Sequence, residues 1–357
     1  MDIFTPLQIK HVLFKNRIVM APMVRFGFPT KDGEMQDKLI LEYTKRADKE
    51  IGLLISQVIS VSPTDNLSKD VTTSGYAGAY SEQHIPYLRK IAESCHKNGS
   101  RFFAQLGLAG YAYGDIHSKD INKLTTNELA FICNQFINAA RICKKAGLDG
   151  IELHGAHTFF LNMVSSSYSN RRKDRYGGDL TDRLTLVKEI IDGIKEFSAN
   201  NFLISYRMGW CDSFSEDIET AIALEQIGID ILHVSHGIPA NRKINTPPDY
   251  QYSDIVYTGC YLKKYVSIPV ITVGEIKNLE RGNALIIQRA CDFVAYGRPF
   301  LADESFVTHS IGNMSYKSCF ECHKCKWFTN GENCPAQLLA LSPISENILL
   351  KKSHKKL

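Results

Sequence analysis

Eight short apolar or β-branched runs punctuate the chain, each separated from the next by a longer stretch, and this alternation constrains the fold more than any other feature. The runs are RIVMAPM, GLLISQVISV, RFFAQLGL, GIELHG, FLISYRMG, DILHVSHG, PVITVGE and DFVAYGR. Between them lie segments with helical periodicity, among them DKLILEYTKRADKE, IPYLRKIAESCHKNG, LAFICNQFINAARICKKAG, LTDRLTLVKEIIDGIKEF and TAIALEQIG. In the segment 127–147, Leu129, Ile132, Phe136, Ala140 and Ile142 recur near helical spacing, and KKAG ends it with cations at the dipole's negative end and Gly147 as the cap. Parallel strands need crossover connections, so alternating strands and helices predict a parallel sheet. Eight such units are the count of a closed (β/α)₈ TIM barrel in the α/β class. A doubly wound open sheet is the alternative, but no GxGxxG follows the first run. The expected organisation is a barrel over residues 1–312 and a cysteine-rich extension over 313–357.

In such a barrel the chemistry sits at the C-terminal ends of the strands. There the sequence places Ala21-Pro22-Met23 at the end of the first run, Gln105 in the third, His154 at the end of the fourth and His157 just past it. Arg207 stands in the fifth run, His233 and His236 in the sixth, Gly274 at the end of the seventh, and Gly297-Arg298 at the end of the eighth. Glycines at the last two strand ends, with Arg298 beside one, suit a phosphate, because bare backbone N–H groups approach it and a guanidinium clamps it. An amide and a cation nearer the axis suit a polar heterocycle whose charge rises on reduction. Together they suggest a phosphate-bearing redox cofactor, with FMN the natural candidate.

The remaining composition sets limits. A net charge of +4 from scattered Lys and Arg does not describe a nucleic-acid-binding surface, and the tail LLKKSHKKL reads as a solvated end. No apolar run reaches the roughly 18 residues of a membrane span. The opening MDIFTPLQIKHVLFKNRIVM is interrupted by charges and does not read as a signal peptide, so a cytoplasmic location is expected. Six of the ten cysteines are scattered and read as small buried hydrophobes.

The segments PLQIKHVLFKNRIVMAPM, QLGLAG, ELHGAHTFFLN, SNRRKDRYGGDLTDR, LHVSHG, IPVITVGEI and VAYGRPFLAD, in this order from about Pro6 to Asp303, resemble the old yellow enzyme family of FMN-dependent ene-reductases. The branch containing the barrel domain of 2,4-dienoyl-CoA reductases is the nearest in pattern. The resemblance implies that Ala21, Pro22 and Met23 line the flavin, Gln105 bonds its pyrimidine, Arg207 faces its N1–C2=O edge, and Gly274, Gly297 and Arg298 take the phosphate. Arg183, within YGGDLTDR, falls in a framework segment. His154 and His157 would donate hydrogen bonds to an activated carbonyl as negative charge develops there. Residues three apart on a strand converge only where the strand ends and the backbone turns. A zinc site is the rival reading of this pair, but further ligands are not evident nearby.

One position departs from the pattern. The family's proton-donating Tyr is here Phe159, which has no proton to give. His236, Tyr111, Tyr113 or water could fill that role, with His236 the first choice on placement. Val24 stands where some members carry a flavin-tuning Cys or Thr.

CFECHKCKWFTNGENC spaces Cys319, Cys322, Cys325 and Cys334 as C-x2-C-x2-C-x8-C. Four thiolates at this spacing suit a [4Fe–4S] cluster or a zinc ion, with reduced free thiols the third option and His323 an alternative ligand. The dienoyl-CoA reductase branch carries a [4Fe–4S]-binding run here, but its second and last gaps are longer. The expectation is hydride transfer from NAD(P)H through FMN to the C=C of an α,β-unsaturated carbonyl or enoyl thioester. The alternatives are an oxidative demethylase passing electrons through the cluster to a separate protein, and a redox-responsive flavin-binding protein with little turnover. A flavin-free aldolase-like barrel would need a Schiff-base lysine at a strand end, and the eight runs offer none there. A separate electron-donor protein and a homo-oligomer are left open.

Overall fold

The computed structural model describes residues 1–25, 28, 30–47, 50–63, 76–108, 120–239, 241–312 and 318–341. Eight strands close into a barrel: β1 (Ile18–Met20), β2 (Leu53–Ser60), β3 (Arg101–Gly107), β4 (Gly150–Gly155), β5 (Leu203–Gly209), β6 (Ile231–Ser235), β7 (Val270–Val273) and β8 (Phe293–Tyr296). They are parallel and ordered as in the sequence, and the last bonds to the first through Val294↔Ile18, Ala295↔Val19 and Tyr296↔Met20. Each of the eight expected runs contains one of these strands, and the (β/α)₈ expectation holds. The helices between them include Asp37–Ala47, Ile85–Lys97, Thr126–Lys145, Thr185–Lys195, Phe214–Ile227, Asp254–Leu262 and Leu279–Ile287.

The helix expected to close near Gly147 ends at Lys145, with Gly147 following in the left-handed region at φ 89°. Its start is set by a capping box, in which the Thr125 hydroxyl accepts from the Glu128 N–H and the Glu128 carboxylate accepts from Thr125 N–H. The expected helix over LTDRLTLVKEIIDGIKEF is two pieces, Leu180–Arg183 and Thr185–Lys195.

The N-terminal end of the barrel is sealed before β1 begins. An antiparallel hairpin, Leu7–Ile9 with Val12–Phe14, sets Phe14 edge-on against Phe103 and Phe293 at centroid distances of 6.2 and 5.1 Å. Leu203, Ile231 and Ile271, from the same ends of their strands, complete the plug. Apolar closure at this end leaves the opposite rim as the polar mouth.

Three aspartates fix the strand starts in a repeated way. Asp149, Asp230 and Asp292 each stand one residue before a strand, and each carboxylate accepts a backbone N–H of the preceding strand or its approach. The donors are Phe102 at 2.9 Å, Ile204 at 2.9 Å and Val270 at 2.8 Å. The aspartate N–H groups in turn donate to the carbonyls of the same three residues. A short side chain thus extends the ladder by one bond where the strands begin.

The described part of the extension packs on the barrel. Trp327 lies under the Arg25 guanidinium at 4.8 Å, Gln337 Nε2 donates to the Leu301 carbonyl at 2.8 Å, and Lys38 pairs with Glu332 at 2.7 Å. Among the described residues, no helix is long and apolar enough to cross a membrane.

Asp230 carries a clear test, because it also pairs with Lys10 at 2.6 Å. Asp230→Ala leaves the Ile204 N–H unsatisfied and is expected to cost about 1–3 kcal/mol in urea denaturation. Asp230→Asn, which keeps an acceptor, should cost clearly less; equal losses would show that the carboxylate does not hold the strand.

Candidate active site

The rim residues converge because adjacent parallel strands place them side by side. His154 is in register with Arg207 across β4 and β5, and His233 with Arg207 across β6 and β5. Likewise Gln105, Glu152 and Ser205 line up across β3, β4 and β5.

His154 and His157 do meet. β4 ends at Gly155, and the chain then turns through left-handed conformations at His157 (φ 57°) and Thr158 (φ 62°). The two imidazoles stand edge to face with centroids 5.2 Å apart. Gly155 is bare for a reason the sequence hides: a Cβ there would lie 2.1 Å from the Tyr206 hydroxyl. The glycine makes room for a neighbouring strand's side chain rather than for a ligand.

The electrostatics around the pair are one-sided. Burial pushes the His154 pKa well below 6.5, and His157, Arg207 and His233 add to the effect. His157 is lowered likewise by burial and by Arg207, His236 and His233. Both rings are therefore neutral at pH 7. Burial lowers Arg207 to about 10, partly offset by Glu152, so it remains the fixed cation. Arg207 Nη2 donates to Ser235 Oγ at 3.1 Å, and the same oxygen lies 2.7 Å from His157 Nε2. Arg207 Nε and His154 Nδ1 are buried without a hydrogen-bond partner among the described residues.

Phe159 packs against His154 at a 4.2 Å centroid distance and a 33° tilt, placing a hydrocarbon face beside the pair. His236 is exposed on the rim, edge-on to Trp210 at 4.6 Å, and its backbone carbonyl accepts from His157 N–H at 3.0 Å. Burial and Arg207 lower its pKa. Tyr111 and Tyr113 lie outside the described residues.

At the phosphate-friendly side, Ala21 is buried and Pro22 and Met23 are half-buried. A Cβ on Gly297 would come within 3.3 Å of Met23 Sδ, so the ends of β1 and β8 touch. Gly274 has φ 129°, a conformation closed to ordinary side chains, and its carbonyl accepts from Ser253 Oγ at 3.1 Å. Arg298 is less free than its sequence position suggests. Its guanidinium bonds Glu275 at 3.2 Å and Glu321 at 3.5 Å, which ties the rim to the extension.

Cys319, Cys322, Cys325 and Cys334 border one shallow cleft, with Arg298 and Trp327 among its other walls. Among the described residues, however, no three His, Cys, Asp or Glu side chains gather into a group that could hold a metal ion. The expected ligand set shares a cleft but is not a coordination sphere. His154 and His157 likewise have no third ligand there, so the rival zinc reading of that pair gains nothing.

Sequence reasoning passed over Glu152 and Ser235, although both lie inside quoted runs. The signal was an acidic residue within an apolar strand: Glu152 is fully buried and accepts from Gln105 Nε2 at 2.8 Å, His233 Nδ1 at 2.8 Å and Ser205 Oγ at 3.2 Å.

The description "NADH:flavin oxidoreductase / NADH oxidase family" matches residues 2–313 of the chain. NADPH dehydrogenase of Clostridium acetobutylicum is 30% identical over 333 residues, covering 87% of this chain and 94% of that protein. NADH oxidase of Thermoanaerobacter brockii is 32% identical over 327 residues, 85% of this chain, and cinnamate reductase of Clostridium sporogenes is 28% identical over 385 residues, 96% of this chain. The chain spans about half the length of these last two, 49% and 56% respectively. Morphinone reductase shares the fold, with a TM-score of 0.75 at 21% identity over 94% of this chain and 96% of that one.

The depressed imidazoles set a pH dependence. The unfolded chain binds protons at His154, His157, His233 and His236 that the folded chain refuses, so stability falls as pH drops through 6.5. Thermal unfolding followed from pH 7.5 to 5.5 should show Tm falling by several degrees, each kcal/mol moving it about 2–4 °C in domains of 150–250 residues. A flat profile would mean that these rings are charged in the folded protein.

Proposed function

The chain belongs to the NADH:flavin oxidoreductase / NADH oxidase family, and from that premise we propose that it is an FMN-dependent ene-reductase acting on α,β-unsaturated carbonyls or enoyl thioesters. The observation that carries the reading is the pair of neutral, converging imidazoles beside a buried, permanently charged arginine. Bound FMN would supply the two-electron chemistry, accepting hydride from NAD(P)H and delivering it from N5 to the substrate's β-carbon.

The residues fit that group. Arg207 keeps an unused buried N–H for an electron-rich edge, and Gly274 and Gly297 leave backbone bare where the phosphate is expected. Ala21, Pro22 and Met23 would line the ring system, Gln105 would bond its pyrimidine, and Arg298 would reach the phosphate beside Glu275 and Glu321. In the reaction, His154 and His157 donate hydrogen bonds to the substrate carbonyl. Neutral donors suit this task, since they stabilise the developing oxyanion without giving up a proton. Ser235 orients His157: an oxygen that already accepts from Arg207 can donate its own hydrogen to Nε2, which makes Nδ1 the protonated donor.

The α-carbon proton is the weaker half of the site. Phe159 offers none, and His236, lowered in pKa yet exposed on the rim, is neutral at pH 7 and a poor acid. We assign the proton to His236 or to water reaching it from solvent. The same vacancy favours a second reading, oxidation of a substrate on this scaffold, because removal of hydride needs no α-carbon acid. Amine oxidation measured beside enone reduction separates the two.

The similarity to cinnamate reductase, which runs over 96% of this chain, supports an unsaturated acid derivative among the substrates. The cysteine cleft does not fit a bound ion as placed, and no electron transfer is routed through it. Stoichiometric iron and acid-labile sulfide in anaerobically purified protein would restore the [4Fe–4S] reading and call for a partner protein.

Phe159→Tyr tests the mechanism. A hydroxyl returned beside His154 should raise kcat for cyclic enone reduction at least tenfold, within the roughly 10²–10⁴-fold range of general acid catalysis. His236→Ala should slow the unmodified enzyme where the ring gives the proton, leave it unchanged where water does, and matter little in Phe159→Tyr. An unchanged Phe159→Tyr rate would remove enone protonation from the mechanism.

A further inference from the structure

Glu152 lies below the rim and is absent from the chemistry above. It is fully enclosed, and its carboxylate accepts from Gln105 on β3, Ser205 on β5 and His233 on β6. Burial works to raise its pKa, but His233, Arg207 and Gln105 outweigh it and hold the carboxyl below its usual value. The group is therefore an anion at neutral pH, and an anion only accepts hydrogen bonds.

That fact determines how Gln105 is presented. Its NH₂ group donates one hydrogen to Glu152 Oε1, which turns the carbonyl oxygen away from the carboxylate and leaves it, beside the second amide hydrogen, for a ligand. An acceptor at this point matches a heterocyclic N–H, whereas an amide turned the other way would match a carbonyl. The second Glu152 oxygen, held by His233 and Ser205, prevents the carboxylate from swinging to release the amide. The same anion is the charge that offsets burial of Arg207.

We propose that Glu152 is the positioning residue for the cofactor's polar edge: it locks Gln105 with its carbonyl toward the flavin N3–H and counterbalances the Arg207 charge. This rests on the FMN reading above and deepens it. His233 completes the device, donating through Nδ1 to the carboxylate.

Two consequences are separable. Glu152→Ala frees the Gln105 amide to turn, so FMN should bind the apoprotein at least tenfold more weakly by flavin fluorescence titration. Glu152→Gln keeps an acceptor for Gln105 if His233 changes tautomer, so affinity should return to within a few-fold of wild type. It still removes the charge, however. With the anion gone, Arg207 favours electron-rich reduced flavin more strongly, and the midpoint potential should rise. A tenfold gain in relative affinity for reduced flavin corresponds to about 30 mV for a two-electron couple.

The decisive experiment is a double-mutant cycle of Glu152→Ala with Gln105→Ala on FMN affinity, read beside the potential of Glu152→Gln. We expect the Glu152→Ala loss to disappear in the Gln105→Ala background. Additive losses together with an unchanged Glu152→Gln potential would overturn the proposal and leave Glu152 as an ordinary buried ion. If Glu152→Ala does not fold, the isosteric Glu152→Gln decides alone: a raised potential supports the proposal and an unchanged one overturns it. Failure of the wild-type apoprotein to take up FMN would instead sink the flavin reading on which the proposal stands.

Discussion

Everything at the rim depends on closure of the sheet. β8 bonds to β1 through three residue pairs, and with that last seam made, all eight strand ends point into one ring. Closure cannot be adjusted locally, because moving one strand by a residue would turn its inward side chains outward. The devices that fix register are therefore devices that position chemistry. The three aspartates at the strand starts hold β3, β5 and β7 against the strands that follow. These are the strands that bring Gln105, Arg207 and Gly274 to the opposite end.

A second constraint is charge. Within the layer below the rim, Arg207 and Glu152 are both enclosed, and neither could stay ionised alone without a large desolvation penalty. Each makes the other tolerable, and the histidines around them accommodate by staying neutral. His154 and His157 would add like charge to Arg207 if protonated, on top of the cost of burying them. The hydrogen-bond donors of the site are thus neutral chiefly because they are buried, and the fixed Arg207 charge holds them so more firmly.

Much of this was legible in the sequence, for identifiable reasons. Strands enclosed on both faces read as continuous apolar runs, so each of the eight could be located from GLLISQVISV to DFVAYGR. The pairing of His154 with His157 was implied by the family resemblance, and strand periodicity added that the strand must end and turn between them for the two to meet. What depended on cross-strand neighbours stayed hidden. Nothing in GIELHG says that Glu152 faces Gln105, or that Gly155 is bare because Tyr206 reaches over it. Arg298 read as a free phosphate clamp, yet it bonds Glu275 and Glu321, and the second of these comes from the extension. The cysteine spacing is a related case: intervals along the chain bring four thiols to one cleft, but they do not set the distances between them.

The shared arginine gives the extension a physical relation to the barrel that its sequence separation conceals. Glu321 lies between Cys319 and Cys322 and pairs with both Lys277 and Arg298. A phosphate arriving at the end of β8 would meet Arg298 already held by two carboxylates, and would compete with them for the same donors. Partial exposure weakens each of those ion pairs, so the competition costs little. On the proposed reading, occupation of the phosphate site therefore loosens one tether of the cysteine segment. Trp327 under Arg25 and Gln337 on the Leu301 carbonyl are untouched by that exchange and keep the segment in place. The rim and the extension are joined by contacts of two kinds, exposed ion pairs through Glu321 and the packing of Trp327 with the Gln337 hydrogen bond.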